Sequence, residues 1–161
     1  MEEQAAERGS GPFAPFAVTT DALSRAARQM VAGALDASGY RGDADRVLLD
    51  MPCSGTGTWR RNPETRWRLT PERLERLVRL QDRLLGLAAE LVRPGGHLTY
   101  AVCSLLAAEG RDRAAALGAR SSLVPEPAPI AAGRPAGPGI VLSPAREGTD
   151  GFFIARWRRP C

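Results

Sequence analysis

Apolar residues recur along this chain with three different periods. Leu23, Ala26, Ala27, Met30, Val31, Ala34 and Leu35 return at three- and four-residue steps, which predicts an amphipathic helix over 21–37, ended by Gly39. ADRVLLD, residues 44–50, is a short apolar run of the kind buried in a parallel sheet, and it stops at Asp50, Pro52 and the glycines of SGTG. After the basic loop TWRRNPETRWR, Thr70 supplies an N-cap and Pro71 a first-turn proline for a helix to about Val92. Its buried stripe is Leu74, Leu77, Val78, Leu84, Leu85, Ala88, Leu91 and Val92. Gln81 falls inside that stripe, either as a polar group near a site or as a glutamine at the edge of the apolar face.

RPGG, 93–96, reads as a helix stop and turn, and HLTYAVCS as the next strand, with Cys103 at its end. Strand, helix, strand predicts a right-handed parallel crossover. A short alanine-rich helix is expected over 107–119, and PEPAPIAAGRPAGPG is read as loop. IVLSP and GFFIARWR are the closing strands, an antiparallel hairpin at the sheet edge. Residues 1–18, polar and then interrupted by proline and glycine, read as a loose or partly ordered lead-in. The fold class is α/β.

With 161 residues, 43% of them hydrophobic, the chain fits one soluble globular domain. Its net charge is +4, and all 22 basic residues are arginine. The guanidinium fork suits phosphates and base edges, so nucleic acid is a reasonable partner, although genome composition also explains an absence of lysine. No stretch approaches the roughly 18–20 apolar residues of a membrane span, and MEEQAAERGSGP is acidic rather than signal-like. The expectation is a cytoplasmic protein with no membrane partner. The three cysteines lack zinc-site or CxxC spacing, so free thiols and no metal are expected.

Cys53 and Cys103 stand at equivalent places, each at or just past the carboxyl end of a predicted parallel strand. Neighbouring strands run about 4.8 Å apart, which would bring both thiols to the edge where open α/β sheets bind ligands. Asp50 adds a carboxylate to that rim. Two readings remain open at this point. Both cysteines can be small buried hydrophobes, or they can act on an electrophilic ring, with Arg60 and Arg61 favouring a thiolate.

DRVLLDMPCSGTG, RRNPETRW, LQDRLL, LVRPGGHLTYAVCS and GTDGFFIARWRR, in this order and spacing, resemble the RsmB/NOL/Sun family of S-adenosylmethionine-dependent RNA cytosine-5 methyltransferases, which includes bacterial ribosomal RNA enzymes. The resemblance covers about residues 44–158. It implies the C-terminal catalytic half of a Rossmann-like methyltransferase sheet over 44–161, with parallel strands and a closing antiparallel hairpin. It also implies S-adenosylmethionine as cofactor and RNA, ribosomal RNA in particular, as substrate. By position Cys103 matches the nucleophile, Cys53 the cysteine that assists release, and Asp50 the aspartate near cofactor and target base. Arg60, Arg61, Arg66 and Trp67 fall in the loop that should face RNA. The arginines are read as RNA contacts, and Trp67 as packing its loop onto the body in preference to stacking on a base. His97 is read as structural, GTDGFF as packing near the site, and Cys161 as irrelevant.

Residues 1–43, a lead-in and one helix, do not match the family's glycine-rich cofactor half. That half is accordingly expected from another chain, or else the chain is an inactive remnant that at most binds RNA. Within the match, Met51, Val102 and Gly110 depart from the residues usual in the family.

Overall fold

The computed structural model describes residues 15–19, as a backbone strand, and residues 42–161. The strands are β1 (Pro15–Thr19), β2 (Ala44–Asp50), β3 (Val92–Val102), β4 (Val124–Glu126), β5 (Arg134–Ala136), β6 (Gly139–Leu142) and β7 (Phe152–Arg158). The helices are α1 (Pro71–Leu91), α2 (Arg111–Arg120) and the single turn α3 (Pro144–Glu147). The sheet runs β1-β2-β3-β7-β6-β5, with β4 also pairing β7. β1, β2 and β3 are parallel, whereas β7 is antiparallel to β3, β4 and β6.

The central elements follow from the residue pattern. Thr70 caps α1, its hydroxyl accepting from Arg73 N, and Pro71 sits in the first turn. α1 buries Leu84, Leu85, Ala88 and Leu91 in the same cluster as Val47 and Leu49 of β2, Leu98, Tyr100 and Val102 of β3, and Phe153, Ala155 and Trp157 of β7. Register arranges these in rows, Val47 with Leu98 and Trp157, then Leu49 with Tyr100 and Ala155. Ala114 and Leu117 of α2 complete the cluster. Each large apolar side chain contributes about 1.5–3 kcal/mol on burial, so this one face holds the central strands in register.

Four expectations need correction, and one lies out of reach. Pro15–Thr19, beginning inside the expected lead-in, is a strand paired with β2, each residue with a partner 31 positions along the chain; a proline is tolerated at the first position of an edge strand. RPGG does not end in a separate turn but lies within β3, where pairing jumps from Ala44–Val92 to Arg46–His97 around the left-handed Gly95. A bulge absorbs the extra residues. The proline-rich stretch read as loop contains β5 and part of β4, which find partners in β6 and β7. β2 is not buried throughout, since Leu48 is exposed while Val47 and Leu49 are buried. The helix expected over 21–37 lies outside the described residues.

Candidate functional site

β2 and β3 end together, Asp50 pairing with Ala101. Beyond the strands, Met51 N donates to Ala101 O at 3.0 Å and Gly57 N to Cys103 O at 3.1 Å. These bonds carry the parallel pairing into the loops and bring two residues fifty positions apart into contact. Cys53 Sγ and Cys103 Sγ are 3.3 Å apart, and both residues are half-buried. The thiols touch and neither cysteine is fully buried, so the reading of them as two small buried hydrophobes does not describe this geometry. The hydrogen bond with Cys103 and then burial push the Cys53 thiol well above its usual range, opposed by the Gly55 N–H that donates to its sulfur.

A buried acid lies beneath the thiols. Each cysteine is followed by a serine, and both serines converge on Glu109, which is fully buried. Ser54 N donates to Oε1 at 2.9 Å and the Ser54 hydroxyl to Oε2, while Ser104 Oγ donates to Oε2 at 2.6 Å. Gln81, also fully buried, donates from Nε2 to Glu109 Oε1 at 3.1 Å and to Pro52 O at 2.9 Å. The Tyr100 hydroxyl donates to Glu109 O. Four donors on one carboxyl group match a carboxylate, which only accepts. Of the two readings of Gln81, the polar one describes the structure. Glu109 was not singled out from the sequence as part of the site, because residue order carries no sign that Ser54, Ser104 and Gln81 share it.

The third strut is the turn before β7. Gly151 N donates to Gly57 O at 2.8 Å, and the backbones are so close that a Cβ on Gly57 would fall 1.9 Å from Gly151 O. Asp150 in this turn receives Arg61 Nε at 3.0 and 2.8 Å and its terminal nitrogen as well, with Arg60 3.9 Å away. Arg61 holds the Asp150 carboxyl below its usual range.

These elements enclose a cleft of about 570 Å³. Cys53, Cys103 and Asp50 line it, as do Arg61 and Asp150, with Arg68 and Arg73 at its basic side. The Asp50 carboxylate has no hydrogen-bond partner among the described residues. The structure therefore gathers Asp50, Cys53, Cys103 and Arg61, but not Arg60 or Arg66, into the lining. Arg68 and Arg73 were not singled out from the sequence; their side chains reach the cleft from the loop end and from α1's first turn. Arg66 instead lies over the Trp67 ring, 5.1 Å from its centroid. Trp67 is 79% exposed, which corrects the expectation that it packs its loop onto the body: the two-turn 3₁₀ helix carrying it, Pro63–Arg68, buries no residue.

His97 sits midway along β3, where its regular pairing with β2 resumes, 3.3 Å from Glu126, and burial followed by nearby Arg156 lowers its pKa. Cys161 is exposed beside the Gly95 turn. Among the described residues no group of three His, Cys, Asp or Glu side chains could hold a metal ion, and no helix is long and apolar enough to cross a membrane.

A family model described as 16S rRNA methyltransferase RsmB/F matches residues 19–158. The chain is 45% identical over 121 residues to ribosomal RNA small subunit methyltransferase B of Thermus thermophilus, covering 72% of this chain and 29% of that protein. With the protein of the same description from Xylella fastidiosa it shares 43% identity over 143 residues, 87% of this chain and 34% of the relative. The chain thus spans about a third of these relatives' length. Among solved structures, NSun6 from Pyrococcus horikoshii, determined with the S-adenosylmethionine analogue SFG, superposes with a TM-score of 0.68 at 29% identity, over 80% of this chain and 33% of that one. A methyltransferase homologue from Pyrococcus horikoshii gives 0.62 at 29% identity, over 78% and 42%. These neighbours bear out a partial Rossmann-like methyltransferase sheet. Since the matched span runs from the end of β1 through β7 and takes in both thiols and the acid beneath them, the chain belongs to the RsmB/F family of 16S rRNA methyltransferases.

Proposed function

We propose that this chain carries the reacting edge of an S-adenosylmethionine-dependent enzyme that methylates carbon 5 of a cytosine in ribosomal RNA. The observation that carries the reading is the 3.3 Å contact between two half-buried thiols at the carboxyl edge of a parallel sheet. Carbon 5 of cytosine is a weak nucleophile. The Cys103 thiolate adds to carbon 6, opening the carbon 5–carbon 6 double bond and leaving electron density on carbon 5. S-adenosylmethionine, when bound, would supply the electrophilic methyl group, its sulfonium–methyl bond breaking to leave a neutral thioether. Once carbon 5 is methylated, its proton passes to a base in the cleft, the double bond re-forms, and Cys103 leaves as the thiolate. Cys53, kept protonated by its neighbour and by burial, donates a hydrogen bond to the departing sulfur anion and so assists release.

The residues fit that cofactor at one point. Asp50, exposed at the end of β2 and lining the cleft, offers an acceptor to the cofactor's ammonium or to the cytosine amino group. Arg60, Arg61 and Arg66 are the proposed RNA contacts, with Arg68 and Arg73 extending the basic side.

The test is the full chain incubated with radiolabelled methyl donor and small-subunit ribosomal RNA. Cys53→Ala should accumulate a covalent protein–RNA adduct visible in a denaturing gel, and Cys103→Ala should form none. No adduct in Cys53→Ala, together with no heat of donor binding at millimolar concentration, would overturn catalysis by this chain and leave RNA binding alone.

A further inference from the structure

We propose that Trp67 is a stacking platform for a base of single-stranded RNA lying next to the nucleotide in the cleft. This rests on the RNA reading above but adds a binding element to it. Tryptophan has the largest side chain to leave in water, and the other two tryptophans are treated differently: Trp157 is fully buried and Trp59 half-buried. Trp67 is 79% exposed, the most exposed large hydrophobic among the described residues. Local bonds brace the helix that carries it. Thr65 N and its hydroxyl donate to Asn62 O, and Leu69 N donates to Arg66 O, so the 3₁₀ helix is braced without packing on the core.

The surroundings indicate which partner fits. Arg66 lies against the indole, an arrangement that places positive charge on the ring's electron-rich surface. Arg68, next to Trp67 in the chain, and Arg73, in the first turn of α1, line the cleft that holds the thiols, and Arg73 also donates to Arg68 O at 3.5 Å. An aromatic surface flanked by guanidinium groups suits a polyanion with flat faces. Duplex RNA keeps its faces stacked, so the platform selects a splayed single strand. A strand whose target base enters the cleft would pass its phosphates along Arg68 and Arg73 and bring a neighbouring base to Trp67.

The experiment measures binding of a fluorescein-labelled single-stranded oligoribonucleotide to the full chain by anisotropy, at several salt concentrations, with the same RNA annealed as a duplex for comparison. Trp67→Ala should weaken single-strand binding roughly 5- to 150-fold, and Trp67→Phe should restore most of it. The salt dependence should not change in Trp67→Ala, because removing a neutral ring releases no counterion. Arg66→Ala should lower the slope by about 0.7. Wild-type affinity in Trp67→Ala, or equal loss on single strand and duplex, overturns the platform, as does a wild-type chain that binds no single strand. An indole that seats in a protein partner instead would give the first of these results. Adduct formation by Cys53→Ala is read separately: if it persists while Trp67→Ala binds normally, only the platform fails, and if it is absent while Trp67→Ala loses binding, only the covalent mechanism fails.

Discussion

Cys53 Sγ and Cys103 Sγ meet at 3.3 Å across fifty residues of chain. Nothing local to either cysteine produces that contact. It follows from β2 and β3 ending together and from Glu109 tying the two following serines to one point.

Glu109→Gln should loosen the thiol pair. The amide keeps the shape but turns one acceptor oxygen into a donor, so two of the four donors, either Ser54 N with Gln81 Nε2 or the two serine hydroxyls, lose their carboxylate acceptor. The expected cost is about 1–3 kcal/mol, measured by urea unfolding. Cross-linking of Cys53 to Cys103 by a short bis-alkylating reagent should slow in the folded variant. An unchanged rate would mean that the strands alone set the thiol geometry.

Alkaline pH should destabilise the fold through Cys53 and Tyr100. Both have raised pKa values, Cys53 chiefly through Cys103 and burial, Tyr100 through burial and then Glu109. A raised value means the folded state holds its proton where the unfolded chain has lost it. The contribution is therefore intact below the unfolded values of 9.0 for Cys53 and 10.0 for Tyr100, and it falls as pH rises above them. Each group adds a slope of up to about 1.4 kcal/mol per pH unit. Denaturant titrations between neutral and strongly alkaline pH should show a flatter slope for Cys53→Ser, and an equal slope would refute its share.

The Arg61–Asp150 pair should matter only while Asp150 is ionised. Its pKa is lowered by Arg61, so its contribution is present above the unfolded value of 3.8 and is lost as pH falls through the lower folded value. Exposed pairs contribute little, and the expected fall in Tm for Asp150→Asn is small at neutral pH. That difference should close in strong acid. A gap of the same size at both pH values would point to packing of the turn instead of charge.

Gly57→Ala should damage the site more than any other small change there. Its new methyl would meet Gly151 O at 1.9 Å, backbone against backbone, which no side-chain rotation relieves. The loss should exceed the about 1–3 kcal/mol typical of overpacking. Gly86→Ala is the control: it lies in α1 with nothing within 4 Å of the added Cβ, and should stabilise by about 0.5–1 kcal/mol. Thermal melts of both variants decide the matter.

Much of the architecture was legible because it is written in local patterns. The stripe from Leu84 to Leu91 has helical period, Thr70 and Pro71 mark the start of α1, and the closing strands β6 and β7 pair antiparallel as their sequences suggest. β1, β4 and β5 were not legible. They are short and proline-bearing, and each becomes a strand only by hydrogen bonding to β2, β7 or β6.

The site divides in the same way. Residue order by itself determined that two cysteines and an aspartate stand at strand ends, because a strand's apolar run and its breaker are adjacent in the chain. It could suggest that Gln81 was misplaced on an apolar stripe, since one side chain out of pattern is a local fact. Only the tertiary structure decided that Gln81, Ser54 and Ser104 share Glu109, that Arg61 faces Asp150 rather than a thiolate, and that Trp67 stands in solvent. The physical reason is that a buried polar group must find its partner wherever the fold brings one within about 3 Å, and sequence spacing carries no record of that distance.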